Sequence, residues 1–224
     1  MKPFLYEVAS LFYREYGESV NTIAFVFPNR RAGLFFQKYI SELAEKPLFA
    51  PPVITLSDLM AELSGKQPAD KINSLFLLYN LYVRISRSEE TFDEFLYWGE
   101  LLLNDFDDID KYLVDAKALF TNLSDLKEMD DSFDYLTAEQ VSAIRTFWQT
   151  FYPKGDTPNQ RQFLSVWKIL YPLYGEFRQT LAKAGQGYEG MLFREVAEKA
   201  ERGEPLALPY RKVVFIGLNA LTVA

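Results

Sequence analysis

The chain has 224 residues with no cysteine and no histidine, a formal charge of −7 and 16% aromatic residues. Disulfides, zinc sites of the Cys/His type and catalytic triads of the Ser-His-Asp or Cys-His kind are excluded. With 49% hydrophobic residues it has ample material for a packed core and is too apolar for a disordered chain.

The charge is unevenly spread. Ser88 to Asp134 holds 15 acids and three lysines, a local balance of −12 in a chain whose total is −7. The remainder is mildly basic, so one acidic insert sits within a basic frame. Net acidity argues against nucleic-acid binding, and this uneven distribution weakens that argument. No window reaches the roughly 18 uninterrupted apolar residues of a membrane span. Glu7 lies inside the first apolar run and no small-residue cleavage site follows, which argues against a secretory signal and leaves a cytoplasmic location as the expectation.

In chain order, Phe4, Leu5, Val8, Leu11, Phe12 and Tyr16 predict a helix over 2–16, ended by Gly17. Ile23 to Phe27 reads as a strand. Pro28-Asn29 turns it into a helix over 32–43, which puts Arg30 and Arg31 at the C-terminal end of a strand, where open α/β sheets bind ligands. After the Pro51-Pro52 break comes a short strand over 53–56, then a helix capped by Ser57 and Asp58 and closed by Gly65. From Asp70 the pattern becomes helical. Ile72, Leu75, Phe76, Tyr79, Tyr82 and Val83 mark one helix, and the capping box Thr91-Phe92-Asp93-Glu94 opens another through Leu103. A second box at Thr137 to Gln140 precedes a helix with Val141, Ile144, Phe147, Trp148 and Phe151. Phe163 to Leu181 marks a long helix with Pro172 inside it, predicting a kink. Met191 to Ala200 is one more helix, and Val213 to Ile216 the last strand. The expected architecture is α/β and helix-dominated overall, with a sheet-bearing domain over 1–69 plus 203–224 and an all-helical insertion over 70–202.

The order of these elements resembles the first motor domain of UvrD/RecB-like superfamily-one helicases. F-V-F-P-N-R-R-A at Phe25 to Ala32 is similar to that family's T-F-T-N-K-A-A motif, which follows a strand and contacts single-stranded DNA. V-I-T-L-S-D-L at Val53 to Leu59 looks like G-T-F-H-S-L, and G-Y-E-G-M-L at Gly187 to Leu192 like the D-F-D-D-L stretch leading out of the helical insertion. The segment V-V-F-I-G-L-N-A-L-T at Val213 to Thr222 resembles the V-D-E-x-Q-D strand that holds magnesium and activates water. Within the superfamily the chain is most similar to the AddB-like branch of PD-(D/E)XK nuclease proteins. The long block W-G-E-L-L-L-N-D-F-D-D-I-D at Trp98 to Asp110 carries most of that likeness.

The departures from the family are as informative. A working motor needs G-x-x-x-x-G-K-[ST], whose backbone amides and lysine cradle phosphates, and the chain has none. It also needs an acidic pair on the last strand, where Ile216-Gly217 stands. The resemblance therefore implies a parallel-sheet, P-loop-helicase-like domain that has lost ATP hydrolysis. It would be the N-terminal portion of a longer DNA-repair nuclease, with no catalytic residue, metal or cofactor of its own.

The candidate nucleic-acid-binding residues are Asn29, Arg30, Arg31, Thr55 and Ser57. Against this stand a solvated helix start for the arginines, a turn-shaping role for Asn29 and a plain helix cap for the Ser57/Asp58 pair. The acids Asp105, Asp107, Asp108 and Asp110 lack the glycine of a calcium loop and follow helical spacing with Leu101, Leu102, Phe106 and Ile109, so they are expected on a solvated or partner-facing helix face. Trp98, Trp148 and Trp167 fall on apolar helix faces and are expected in cores. The expected partners are single-stranded or end DNA and a partner helicase-nuclease subunit, with no membrane. The alternative is an acidic interaction module that docks a basic partner subunit. A small-molecule enzyme is the poorest reading, because only carboxylates, lysines or tyrosines would remain for chemistry.

Overall fold

The computed structural model describes residues 2–120, 158–208 and 210–218. The second capping box at Thr137, the helix with Trp148 and the acids of the insert from Asp125 to Asp134 lie outside the described residues, as does the side chain of Trp167. The chain is helix-dominated with a small parallel sheet.

Helix α1 (Phe4–Tyr16) ends at Gly17, whose φ of +54° is a left-handed conformation that glycine adopts without steric cost. A 3₁₀ turn (Gly17–Thr22) leads into β1 (Ile23–Phe27), then α2 (Arg30–Leu43), β2 (Val53–Thr55) and α3 (Leu56–Ser64). Next come β3 (Gln67–Pro68), α4 (Lys71–Ser86) and α5 (Phe92–Lys111). After the undescribed stretch follow α6 (Pro158–Lys183), β4 (Gln186–Gly187), α7 (Glu189–Glu201) and β5 (Lys212–Phe215). Two sequence boundaries need correction. Helix α2 starts at Arg30 rather than Ala32, because the Asn29 side chain closes its first turn. Helix α5 runs past Leu103 to Lys111, because Phe106 and Ile109 keep the apolar period going through the acids.

The main sheet has the order β2-β1-β5, all parallel, with β1 in the centre. All five residues of β1 are buried. Parallel strands need cover on both faces, and unbroken apolar runs are their signature. One face carries Ile23, Phe25 and Phe27, packed with Ala9, Val20, Phe36, Ile40 and Ile216 into the core. Phe25 and Phe36 meet with ring centroids 4.5 Å apart. The pairing of Phe27 with Thr55 brings β1 and β2 to an end at the same level, so their following turns emerge side by side.

By internal contacts the chain forms two units. One comprises Met1–Ala69, Asp110–Leu113 and Gly185–Ala224; the other comprises Asp70–Ile109 and Val114–Ala184. The sequence reading draws the insertion as 70–202, whereas α7 and the last two residues of α5 group with the sheet. The short parallel pair β3-β4 joins the strand that leaves the sheet-bearing unit to the strand that returns to it. Gln67 N–H donates to Gly185 O and Ala69 N–H to Gly187 O, both at 2.9 Å.

The helical unit has its own core of Leu78, Phe95, Phe106, Leu173 and Phe177. Phe106 meets Tyr174 edge to face at 5.2 Å, and the half-buried Trp98 packs on Tyr82 and Phe95. Its α5 opens with the anticipated box: Thr91 N–H donates to Glu94 Oε2 at 2.8 Å. Among the described residues no helix is long and apolar enough to cross a membrane.

Helix α2 lies tightly against β2 because residue 33 has no side chain: a Cβ there would stand 2.3 Å from Val53 Cγ1. Gly33→Ala is expected to destabilise the sheet-bearing unit by about 1–3 kcal/mol through overpacking, read as a lower urea midpoint with an unchanged slope. Gly33→Ala with Val53→Ala is expected to recover part of the loss.

Candidate nucleic-acid interface

The C-terminal ends of β1 and β2 deliver two helix N-termini to one edge of the sheet. Pro28 and Asn29 end β1, and the Asn29 side-chain oxygen accepts the Ala32 N–H at 3.0 Å. Asn29 is therefore the N-cap of α2 and holds one of its four otherwise unpaired amides. The first turn of α2 carries no acid, so its exposed arginines face the positive end of the helix dipole with no local compensation.

Compensation comes from α3. Arg30 Nη2 lies 3.5 Å from Asp58 Oδ1, with the arginine side chain 84% exposed. Arg31 is exposed and makes no ion pair or hydrogen bond among the described residues. The cap of α3 is Thr55, not the predicted Ser57 and Asp58. Thr55 and Asp58 form a reciprocal box: Asp58 N–H donates to Thr55 Oγ1 at 3.1 Å, and Thr55 N–H donates to Asp58 Oδ2 at 3.2 Å. The Thr55 hydroxyl also donates to Asp58 Oδ2, at 2.7 Å. The pattern Thr55-x-x-Asp58 was available in the sequence as a capping box. Thr55 hydrogen bonding, against slight burial and with help from Arg30, holds the Asp58 carboxyl below its ordinary value.

Ser57 points elsewhere: its hydroxyl donates to Glu189 Oε1 at the start of α7. Glu189 also takes Lys111 Nζ, 2.5 Å from Oε2. Burial works against the charged form of Glu189, and the bonds from Lys111 and Ser57 outweigh it, holding its carboxyl below the usual glutamate value. Arg30, Asp58, Ser57, Glu189 and Lys111 thus form one run of polar contacts around the first turn of α3. Glu189 and Lys111 were not among the residues singled out from sequence, because their partners are distant along the chain.

The acidic run of α5 divides. Asp105 and Asp108 are exposed as expected, but Asp110 is fully buried. Its Oδ1 lies 3.1 Å from Arg194 Nε, and its Oδ2 accepts from the Tyr188 hydroxyl. Arg194 is itself a buried residue with Glu198 as a second, more distant acid at 4.0 Å. The expectation of a solvated face fails for Asp110 because α7 supplies a buried cation for it. Among the described residues no group of three His, Cys, Asp or Glu is placed to hold a metal. At the end of β5, where the resembling motif has acids, Ile216 is buried and its N–H donates to Val26 O at 2.9 Å. Gly217 then turns the chain with φ +72°.

No protein-family model matches the chain, and no curated protein is significantly similar to it.

Two outcomes follow from this geometry. Asp110→Ala leaves the Arg194 charge buried and is expected to cost roughly 3–5 kcal/mol, seen by urea unfolding. Replacing the cluster with Asp110→Leu, Arg194→Met and Tyr188→Phe together is expected to recover most of it. Thr55→Ala removes the α3 cap and is expected to cost about 1 kcal/mol. The depressed Asp58 carboxyl contributes stability fully present above the ordinary aspartate value of 3.8 and lost as pH falls below it. An acid titration of stability is expected to show a smaller loss in this range for Thr55→Ala than for the parent.

Proposed function

We propose that this chain is a noncatalytic, helicase-like DNA-binding segment of a larger DNA-end-processing nuclease, with its ATPase motifs lost. The observation that carries the reading is the arrangement at one sheet edge. Two parallel strands of the order β2-β1-β5 end level, and the turn after the central strand presents Arg30 and Arg31 beside the N-terminus of α3. This is the crevice beyond the carboxyl ends of parallel strands where α/β sheets bind ligands. Arginines and helix N-termini are common donors to phosphate oxygens. The likeness of Phe25–Ala32 to a single-stranded-DNA motif supports the same edge.

The roles within the edge differ. Arg31 is the cation available to a phosphate without breaking any bond, and Arg30 must first leave Asp58. Asn29 and Thr55 support the binding edge as caps, fixing where the two helices begin. The proposed loss of hydrolysis is supported by the sequence, which has no G-x-x-x-x-G-K-[ST] motif and carries Ile216-Gly217 where the resembling motif has its acids. A second reading, an acidic module docking a basic subunit, is supported by exposed Tyr97, Leu101, Asp105 and Asp108 at helical spacing along α5.

The test is fluorescence anisotropy of a labelled single-stranded oligonucleotide titrated with the 224-residue chain. Binding is expected to weaken as salt rises, with a slope of about 0.7 per phosphate neutralised. The variant Arg30→Ala/Arg31→Ala is expected to lose most of the affinity and to flatten the slope. No binding at low salt, together with capture of a basic peptide that Asp105→Asn/Asp108→Asn abolishes, overturns the DNA reading in favour of the docking module.

A further inference from the structure

We infer that Lys111 and Ser57 extend the phosphate-contacting edge beyond the arginines, and that Glu189 occupies them as an internal stand-in for phosphate until a strand enters. The inference rests on the DNA-binding reading above and adds a regulated part to it.

The contacts are continuous. Ser57 and Asp58 are neighbours in the first turn of α3; Asp58 takes Arg30 on one side, and Ser57 donates to Glu189 on the other. Glu189 in turn takes Lys111. A lysine ammonium and a serine hydroxyl converge on one pair of carboxylate oxygens, as donors converge on phosphate oxygens at a nucleic-acid backbone. Glu189 is the first residue of the 13-residue helix α7, where negative charge is favoured. A phosphate oxygen entering there would meet the same two donors.

Exposure makes the exchange one-sided. The Lys111 side chain is 20% exposed, so its stem is held by the fold. The Glu189 side chain is 44% exposed and regains water when it swings out. The carboxylate is therefore the displaceable member and the lysine the fixed one. This differs from a purely structural clamp between the end of α5 and α7. In a clamp, removing the charge of Glu189 only loosens the fold; in a phosphate stand-in, it removes the anion that competes with DNA for Lys111 and Ser57.

The experiment is the same anisotropy titration on Glu189→Gln and on Lys111→Met, which keeps an apolar stem, with Arg30→Ala/Arg31→Ala alongside. Glu189→Gln is expected to tighten binding roughly five- to tenfold at low salt, the worth of one charge-assisted contact, and to steepen the salt slope by about 0.7. Lys111→Met is expected to weaken binding by a similar factor. A gain in Glu189→Gln that persists in Glu189→Gln/Lys111→Met is a general charge effect and overturns the inference, whereas a gain lost in the double variant supports it. Binding that depends on Arg30 and Arg31 but is unmoved by Glu189→Gln overturns this inference and leaves the DNA reading standing. Wild-type chain that does not bind, with a Glu189→Gln variant that does, supports the inference as a closed site. Absence of binding in both overturns the inference and the reading together.

Discussion

Everything at the candidate interface depends on β1 being held on both edges. A single five-residue strand has no stability of its own, and its apolar side chains need cover on both faces. Pairing with β2 on one side and β5 on the other satisfies its backbone, while α1 and α2 cover the face formed by Ile23, Phe25 and Phe27. Because β1 and β2 are parallel and end at Phe27 and Thr55, their helices must start at the same edge. The meeting of Arg30 with the first turn of α3 is a consequence of that register. Gly33 makes the approach of α2 close enough for it.

The chemistry of the edge is a balance of cations and carboxylates. Arg30 is answered by Asp58 and Lys111 by Glu189, and Arg31 is left to solvent. The strongly acidic composition of the chain therefore says little about this edge. Its acids lie mostly on α5 and beyond, and those at the edge are paired one to one with basic groups. The exposed Arg30–Asp58 pair contributes little stability, whereas Lys111 is largely covered where it meets Glu189. Asp110 with Arg194 is the opposite case. Buried and joined by Tyr188, it holds the end of α5 to α7 and cannot be opened cheaply.

Elements with a strong local period were legible in the residues. The apolar run Ile23 to Phe27 reads as a strand, and Phe4 to Tyr16 with Gly17 reads as a helix ended by glycine, because both patterns are set by neighbours a few positions away. The box at Thr91 is equally local. The misplacements have physical causes. The end drawn at Leu103 is too early, since Phe106 and Ile109 continue the helical spacing of Leu101 and Leu102, and burial of two large side chains outweighs the modest helix propensity of aspartate. Ser57 looks like a cap, but Thr55 stands where β2 ends and so takes that place.

By itself, the sequence determined that the chain has no thiol or imidazole and no G-x-x-x-x-G-K-[ST] motif, and which short runs form strands and helices. These are matters of residue type and spacing within a turn or two. Only the tertiary structure decided that α7 belongs with the sheet and that Asp110 is buried. It alone joined Ser57 and Lys111 through Glu189. Those contacts join residues 78 to 132 positions apart, and no local pattern encodes a partner at that distance.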